Sequence, residues 1–151
     1  MDRTILKIKR SAYRKPEAVK ELEQLANEST MFKHPTCPHL APRKFRDDTS
    51  NGLTKCIVQY IVLCGGFATR INNQGTWSKK QNRFIPGTSR RGLAEVMATC
   101  NGLSLHIEVK IGKDRQSEAQ KEVEADAIRS GGYYFLARNF TEYKKWFDNI
   151  K

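Results

Sequence analysis

The sequence has no apolar run long enough to cross a membrane. Its longest such run, Cys56 to Cys64, is short and is interrupted by Gln59, whereas a transmembrane helix needs about 20 predominantly apolar residues. Cysteine is also scarce, because the four cysteines among 151 residues are widely separated and form no CxxC pair. Since no apolar leader precedes them, we expect reduced thiols and a cytoplasmic protein with no membrane partner.

Acidic residues are the minority among the charged side chains. Asp and Glu total 16 against 27 Lys and Arg, which gives a net charge of +11, and both halves of the chain share the excess. A surface this basic gathers phosphate groups by releasing their counterions, which favours an anionic polymer as partner. Charge alone does not decide this, since basic proteins that bind no nucleic acid are common. The length fits one domain.

Prolines at 16, 35, 38 and 42 interrupt the first part of the chain. We predict an N-terminal helical arm and connector over 1–45, with a helix near Glu17 to Asn27, and a domain over 46–151. Thr49 or Ser50 can cap a helix that ends at Gly65 and Gly66. The alternation in residues 67–72 then predicts a short strand with Arg70 and Asn72 on one face.

Acidic residues are missing altogether from the long polar stretch 73–91. Trp77 and Phe84 are interleaved there with five basic residues: Lys79, Lys80, Arg83, Arg90 and Arg91. One interpretation is a flap that follows a phosphate backbone and offers its aromatic rings for stacking. The other is a solvated loop, and the residues alone favour neither.

The pair Asn101-Gly102 joins two β-rich segments and fits a two-residue type I′ hairpin turn. Such a turn sets the register, so that the numbers of paired residues add up to 203. One face then carries only apolar pairs, from Cys100 with Leu103 to Ala94 with Val109. The other face pairs Met97 with His106, Glu95 with Glu108 and Leu93 with Lys110, among others.

Two opposed carboxylates are the chemical core of the prediction. Like charges directly across a hairpin are destabilising unless something compensates them. Mg²⁺ or Mn²⁺ would do so, with Glu95, Glu108 and the backbone carbonyl of Val109 as oxygen ligands. Lys110, on the same face, could assist the attack of water on a phosphodiester. The alternative is a solvent-facing sheet surface on which acidic and basic residues simply alternate.

The ordered motifs of Gly92 to Ala137 resemble those of a known nuclease family. They are a Gly-x-x-acid entry, the hairpin, the segment IEVK, Ser-x-x-Gln on a helix, and a Gly-Gly turn into a closing strand. With the upstream helix and Arg-x-Asn, the likeness covers roughly residues 48–147. The chain resembles the PD-(D/E)XK nuclease superfamily, and within it the virus-type replication-repair nuclease (VRR-NUC) domains of phages and mobile elements.

The resemblance implies a metal-dependent DNA nuclease in a bacterial or phage setting. It assigns metal binding to Glu95 and Glu108, the catalytic lysine to Lys110 and an active-site role to Gln120. The first acidic position of the family is usually Asp, whereas this chain has Glu95. The family also often has an acid on the first helix, where this chain has Asn51 or Thr54. Small members resemble resolvases of four-way DNA junctions that act as dimers, so branched DNA and a homodimer are further expectations.

The residues then expected to bind nucleic acid are Arg70, Asn72, Lys79, Lys80, Arg83, Arg90, Arg91 and Arg115. Gln120 also has a structural interpretation, because Ser117 to Gln120 forms a capping box. The fold expected is α/β with a restriction-endonuclease-like core: a central mixed sheet with an antiparallel hairpin, flanked by helices. Two other functions stay open, a catalytically weakened DNA-binding module of this fold and a basic structural or partner-binding protein.

Overall fold

The computed structural model describes residues 12–37, 39–71, 75–85 and 90–151. These residues form a mixed α/β arrangement of four helices and six strands. In chain order the elements are α1 (Glu17–Lys33), α2 (Ser50–Leu63), β1 (Phe67–Arg70), β2 (Thr76–Ser78), β3 (Arg83–Ile85), β4 (Val96–Cys100), β5 (Leu103–Val109), α3 (Glu118–Arg129), β6 (Tyr133–Ala137) and α4 (Phe140–Ile150). None of the helices described has the length and apolar character needed to cross a lipid bilayer.

Four strands form the central sheet in the order β1-β4-β5-β6. The first three are antiparallel neighbours, and β6 runs parallel to β5. The pairs from Val96 with Ile107 to Cys100 with Leu103 confirm the predicted register. Asn101 and Gly102 have φ angles of 50° and 79°, as a type I′ turn requires at both central positions. The turn residues therefore decide which side chains of the two strands face each other.

Strand alternation separates an apolar face of the sheet from a polar one. Val96, Leu105 and Ile107 are fully buried and belong to one core cluster together with residues of α1, α2 and α4. The helices follow the predicted caps, since Thr49 accepts a hydrogen bond from the Gly52 N–H at 3.1 Å. Helix α3 covers the other face, where its Val123 and Ala127 are buried. The predicted mixed sheet flanked by helices is thus confirmed at this level.

Helix α1 packs into the core rather than standing off as an arm. It is longer than predicted, and its Val19 and Leu22 are fully buried. Buried Asp47 joins the connector to two other segments, because it accepts a hydrogen bond from the Tyr13 hydroxyl at 2.8 Å and one from the Phe140 N–H at 3.1 Å. Helix α1 is buried because its apolar stripe packs against α2 and α4.

The described central part of residues 73–91 is a hairpin, so it is not a loop without regular structure. Strands β2 and β3 pair there as a separate two-stranded sheet, with Trp77 directly opposite Phe84. Both rings are more than half exposed, at 56% and 57%. Aromatic residues opposed across strands stabilise a hairpin even when its other residues are polar. The segment therefore presents an ordered aromatic surface.

Candidate active site

Glu108 is the buried acid at the centre of the site. It lies on β5 between Ile107 and Val109, whose side chains enter the apolar core, so its own side chain takes the opposite face. Only 4% of the residue is exposed. Its Oε1 lies 3.1 Å from Lys110 Nζ and 2.5 Å from Gln120 Nε2. A buried carboxylate with a cation and an amide donor on one oxygen is thus built from β5 and α3.

Gln120 completes the capping box of α3 and also contacts Glu108. Its Oε1 accepts a hydrogen bond from the Ser117 N–H at 2.9 Å, and its own N–H donates to the Ser117 hydroxyl at 3.3 Å, which completes the capping box of α3. Its Nε2 meanwhile donates to Glu108. Turning the amide over would break both side-chain contacts, since an oxygen would then face the carboxylate. The cap of α3 therefore orients the Gln120 amide that donates a hydrogen bond to Glu108.

Glu95 lies immediately before β4 and contacts the opposite helical layer. Its N–H donates to Glu108 Oε2 at 3.2 Å, so the two acids are neighbours, as the register predicts. Its Oε1 accepts a hydrogen bond from Thr54 Oγ1 on α2 at 2.7 Å and lies 3.0 Å from Arg70 Nη2. Ser50 Oγ donates to its Oε2 over a longer 3.4 Å. The two carboxylates are therefore held by different layers, while the backbone of Glu95 contacts the carboxylate of Glu108.

The electrostatics of Glu108 reflect this burial. Loss of water raises the pKa of Glu108, and the Lys110 ammonium and the Glu95 N–H oppose that rise only in part. Each carboxylate has a cation within about hydrogen-bonding distance, Lys110 for Glu108 and Arg70 for Glu95. Lys110 and Arg70 thus compensate the repulsion between the two acids. The sequence had led us to expect a metal ion in this role.

The donor atoms of this cluster are of the kind that Mg²⁺ or Mn²⁺ prefers. Glu95 and Glu108 supply carboxylate oxygens, and Val109, the last residue of β5, carries the third proposed ligand in its backbone carbonyl. An ionised carboxylate has about four acceptor positions, and Glu95 Oε2 and Glu108 Oε2 each have a single contact noted above. Within the described ranges, no group of three or more His, Cys, Asp or Glu side chains could hold a metal ion. The described residues at this site therefore supply two carboxylates, fewer than three such side chains.

The residues predicted to bind nucleic acid lie in different surroundings. Arg70 is half exposed and pairs with Glu95 in the site. Lys79, Lys80 and Arg83 are exposed on the β2–β3 hairpin. Arg90 pairs with Asp126 of α3 at 2.6 Å. Arg91 and Arg115 are exposed, and Asn72 lies outside the described residues.

Thr54 is the site residue that the sequence indicated least clearly. The sequence marked it only as one of two residues standing where an acid was expected on the first helix. It is 2% exposed and donates to Glu95, whereas Asn51 is exposed. Its position one helical turn after Ser50 was the available signal, because residues four apart share one face of a helix.

Comparison with protein-family models, with curated proteins and with solved structures finds no match for this chain. The candidate site therefore rests on its own geometry. That geometry consists of two neighbouring glutamates. Lys110 and Gln120 contact the buried Glu108, and Arg70 and Thr54 contact Glu95.

Proposed function

We propose that this protein is a metal-dependent nuclease that hydrolyses phosphodiester bonds in DNA, including branched DNA. The sheet would then be the core of a PD-(D/E)XK domain of the VRR-NUC type. One observation carries the proposal: Glu108 is buried beside Lys110 and Gln120 and accepts the N–H of Glu95. Burying a carboxylate with a lysine is costly, and such perturbed groups are concentrated at functional sites.

Lys110 has two tasks in this proposal. Its side chain is 13% exposed, so its charge acts in a medium of low dielectric constant, where electrostatic effects are stronger than in water. It lowers the pKa of Glu108 against the rise that burial causes. It also places a positive charge where negative charge develops on a phosphate during hydrolysis.

Gln120 and Thr54 are positioning residues. Each donates one hydrogen bond to a carboxylate oxygen, Gln120 to Glu108 and Thr54 to Glu95. With one oxygen of each acid held in this way, the orientation of both carboxylates is set before any substrate arrives.

Glu95, Glu108 and the carbonyl of Val109 would hold Mg²⁺ or Mn²⁺. When bound, the ion supplies Lewis acidity and positive charge to the oxygen atoms of the reacting phosphate. Arg70 pairs with Glu95 and Lys110 with Glu108, and each would exchange its carboxylate partner for a phosphate oxygen of the substrate.

DNA is the proposed partner on two grounds. The net charge of +11 favours a phosphate polymer. The β2–β3 hairpin also offers the exposed rings of Trp77 and Phe84 beside Lys79, Lys80 and Arg83, and bases stack on aromatic side chains without strict sequence preference.

The test is cleavage of linear, flapped and four-way DNA with Mg²⁺ or Mn²⁺, comparing Glu108→Gln with Glu142→Gln. Both replace one carboxylate with an amide, but Glu142 is exposed on α4. We expect Glu108→Gln to lower the rate by roughly 100-fold or more and Glu142→Gln to cut like the wild type. A wild type that cuts none of these substrates would contradict the proposal, as would a Glu108→Gln variant that cuts at the same rate.

A second candidate function is a catalytically weakened DNA-binding module. The observation that favours it is that Arg70 and Lys110 already neutralise both acids. The presence of Glu95 where the family usually has Asp points the same way. Calorimetric titration with Mg²⁺ or Mn²⁺ separates the two functions. A nuclease should bind the ion and lose that binding in Glu108→Gln, whereas a pure DNA-binding module should show no metal site in the wild type.

A further inference from the structure

A basic groove lies beside the candidate site, on a surface that the charge pattern of the sequence did not indicate. Its cavity of about 460 Å³ lies between the connector at residues 43–45 and the exposed side of α2. Four of its lining residues are cationic, namely Arg43, Lys44, Lys55 and Arg70, and no acidic residue in the described chain lines it. We call these four residues, with the apolar floor of Phe45 and Val58, the basic groove.

Three cations of the basic groove, Arg43, Lys44 and Lys55, keep their charge available to a ligand, whereas Arg70 is paired with Glu95. Arg43 Nη1 donates to the neutral amide oxygen of Gln59 at 2.6 Å, which orients the guanidinium without neutralising it. Lys44 and Lys55 are exposed. Lys44 lowers the pKa of Glu23, but that carboxylate is already paired with Lys15 at 2.5 Å.

The basic groove adjoins the candidate active site. Thr54 and Arg70 line its cavity, and the same two side chains contact Glu95 Oε1 at 2.7 and 3.0 Å. The groove and the candidate site therefore share two side chains, Thr54 and Arg70.

The floor and the length of the groove match a polymer better than a free ion. Phe45 and Val58 are partly buried and pack against the core, so they offer apolar surface to sugars or bases below a rim of cations. A second cavity of about 240 Å³ shares Lys44, Phe45 and Lys55 and continues to the start of α2. A groove that combines a track of cations with an aromatic ring is typical of surfaces that bind a nucleic-acid strand.

We propose that the basic groove binds the sugar-phosphate backbone of the DNA strand that enters the candidate active site. This inference rests on the proposed function, since it assigns a path to the substrate of that site. It places the main phosphate contacts on the connector and α2 rather than on the β2–β3 hairpin alone.

The experiment measures binding in the absence of divalent metal, so that no cleavage is involved. The affinity for fluorescent single-stranded and duplex DNA is measured by anisotropy over a range of salt concentrations. The test variant is Lys44→Ala/Lys55→Ala. The matched control is Lys20→Ala/Lys145→Ala, which removes the same charge from exposed positions on α1 and α4 outside the groove. Circular dichroism establishes that both variants are folded.

We expect the groove variant to reduce the slope of log affinity against log salt by about 1.4 for single strands and about 1.8 for duplex, one phosphate contact per lysine. At about 0.1 M salt this corresponds to a loss of affinity of at least roughly tenfold. The control should change both values much less. Equal changes in the two variants, or no change in the groove variant, would overturn the inference.

The outcomes for the groove and for the nuclease are separate. If the groove variant loses affinity as expected but the wild type cuts no DNA with either metal, the groove stands and the nuclease proposal fails. If the wild type cuts DNA and the groove variant binds unchanged, the nuclease stands and the groove inference fails. A wild type that binds no DNA even at low salt overturns the groove inference, and the cleavage assay then decides the nuclease proposal.

Discussion

Replacing Lys110 with Met tests whether Glu108 is held ionised by the lysine. The substitution keeps an unbranched aliphatic side chain of similar length, so most of the packing stays while the charge is lost. The side chains of Glu108 and Lys110 are 6% and 13% exposed, and removing one partner of a buried pair costs about 3 to 5 kcal/mol. We expect the lower end of this range, since Gln120 and the N–H of Glu95 still donate to Glu108.

The loss of stability should depend on pH in a definite direction. The pKa of Glu108 is raised in the folded protein, so the folded state holds this proton more tightly than the unfolded chain. The free energy of unfolding therefore falls as pH rises through the interval between the two pKa values. Without Lys110 that interval extends to higher pH, and the ionised carboxylate is then buried without a cation. The variant should be close to wild-type stability when Glu108 is protonated and clearly weaker when it is ionised.

The assay is thermal unfolding of the wild type, Lys110→Met, Glu108→Gln and the double variant at about pH 5 and about pH 8. For a chain of this length, 3 kcal/mol corresponds to a fall in Tm of roughly 6 to 12 °C, expected for Lys110→Met at the higher pH and at most about half of it at the lower pH. Adding Glu108→Gln should restore much of the loss, because it removes the unpaired charge. An equal fall in Tm at both pH values, or no restoration in the double variant, would refute the reasoning.

Two further predictions use matched pairs of residues. Gly92→Ala should destabilise the protein by about 1 to 3 kcal/mol more than Gly102→Ala in urea unfolding, because both glycines have φ near 80° but only at Gly92 would a Cβ lie 2.3 Å from the Ala119 carbonyl oxygen. Equal costs would show that this contact gives way. Ser117→Ala and Gln120→Ala should each cost about 1 kcal/mol of stability through the cap of α3, but only Gln120→Ala should also lower the kcat of metal-dependent cleavage, since only Gln120 contacts a site carboxylate. A similar fall in kcat for Ser117→Ala would assign the whole effect to the helix cap.

Much of the central sheet and one half of the site are local in sequence, and these parts were predictable. The Asn101-Gly102 turn specifies the β4–β5 register through its backbone conformation. That register places the N–H of Glu95 beside Glu108. The capping box from Ser117 to Gln120 marks the start of α3. Each of these features depends on residues that are close along the chain.

The other half of the site depends on contacts between distant segments. The pairing of Arg70 with Glu95 and the hydrogen bond from Thr54 to the same acid require β1 and α2 to pack against the start of β4. No spacing rule relates these residues, so the sequence assigned Arg70 to nucleic-acid binding and did not predict its pairing with Glu95. The basic groove arises in the same way, since the connector, α2 and β1 all contribute residues to its lining.

The sequence by itself determined the hairpin, its two glutamates and the lysine beside them, because turn chemistry and strand alternation act over a few residues. Tertiary structure decided what surrounds each acid: Glu108 is buried against α3, and Glu95 is held by α2 and β1. Burial and the charges brought near by packing set the ionisation of a carboxylate. Those quantities exist only once the layers of the fold have come together.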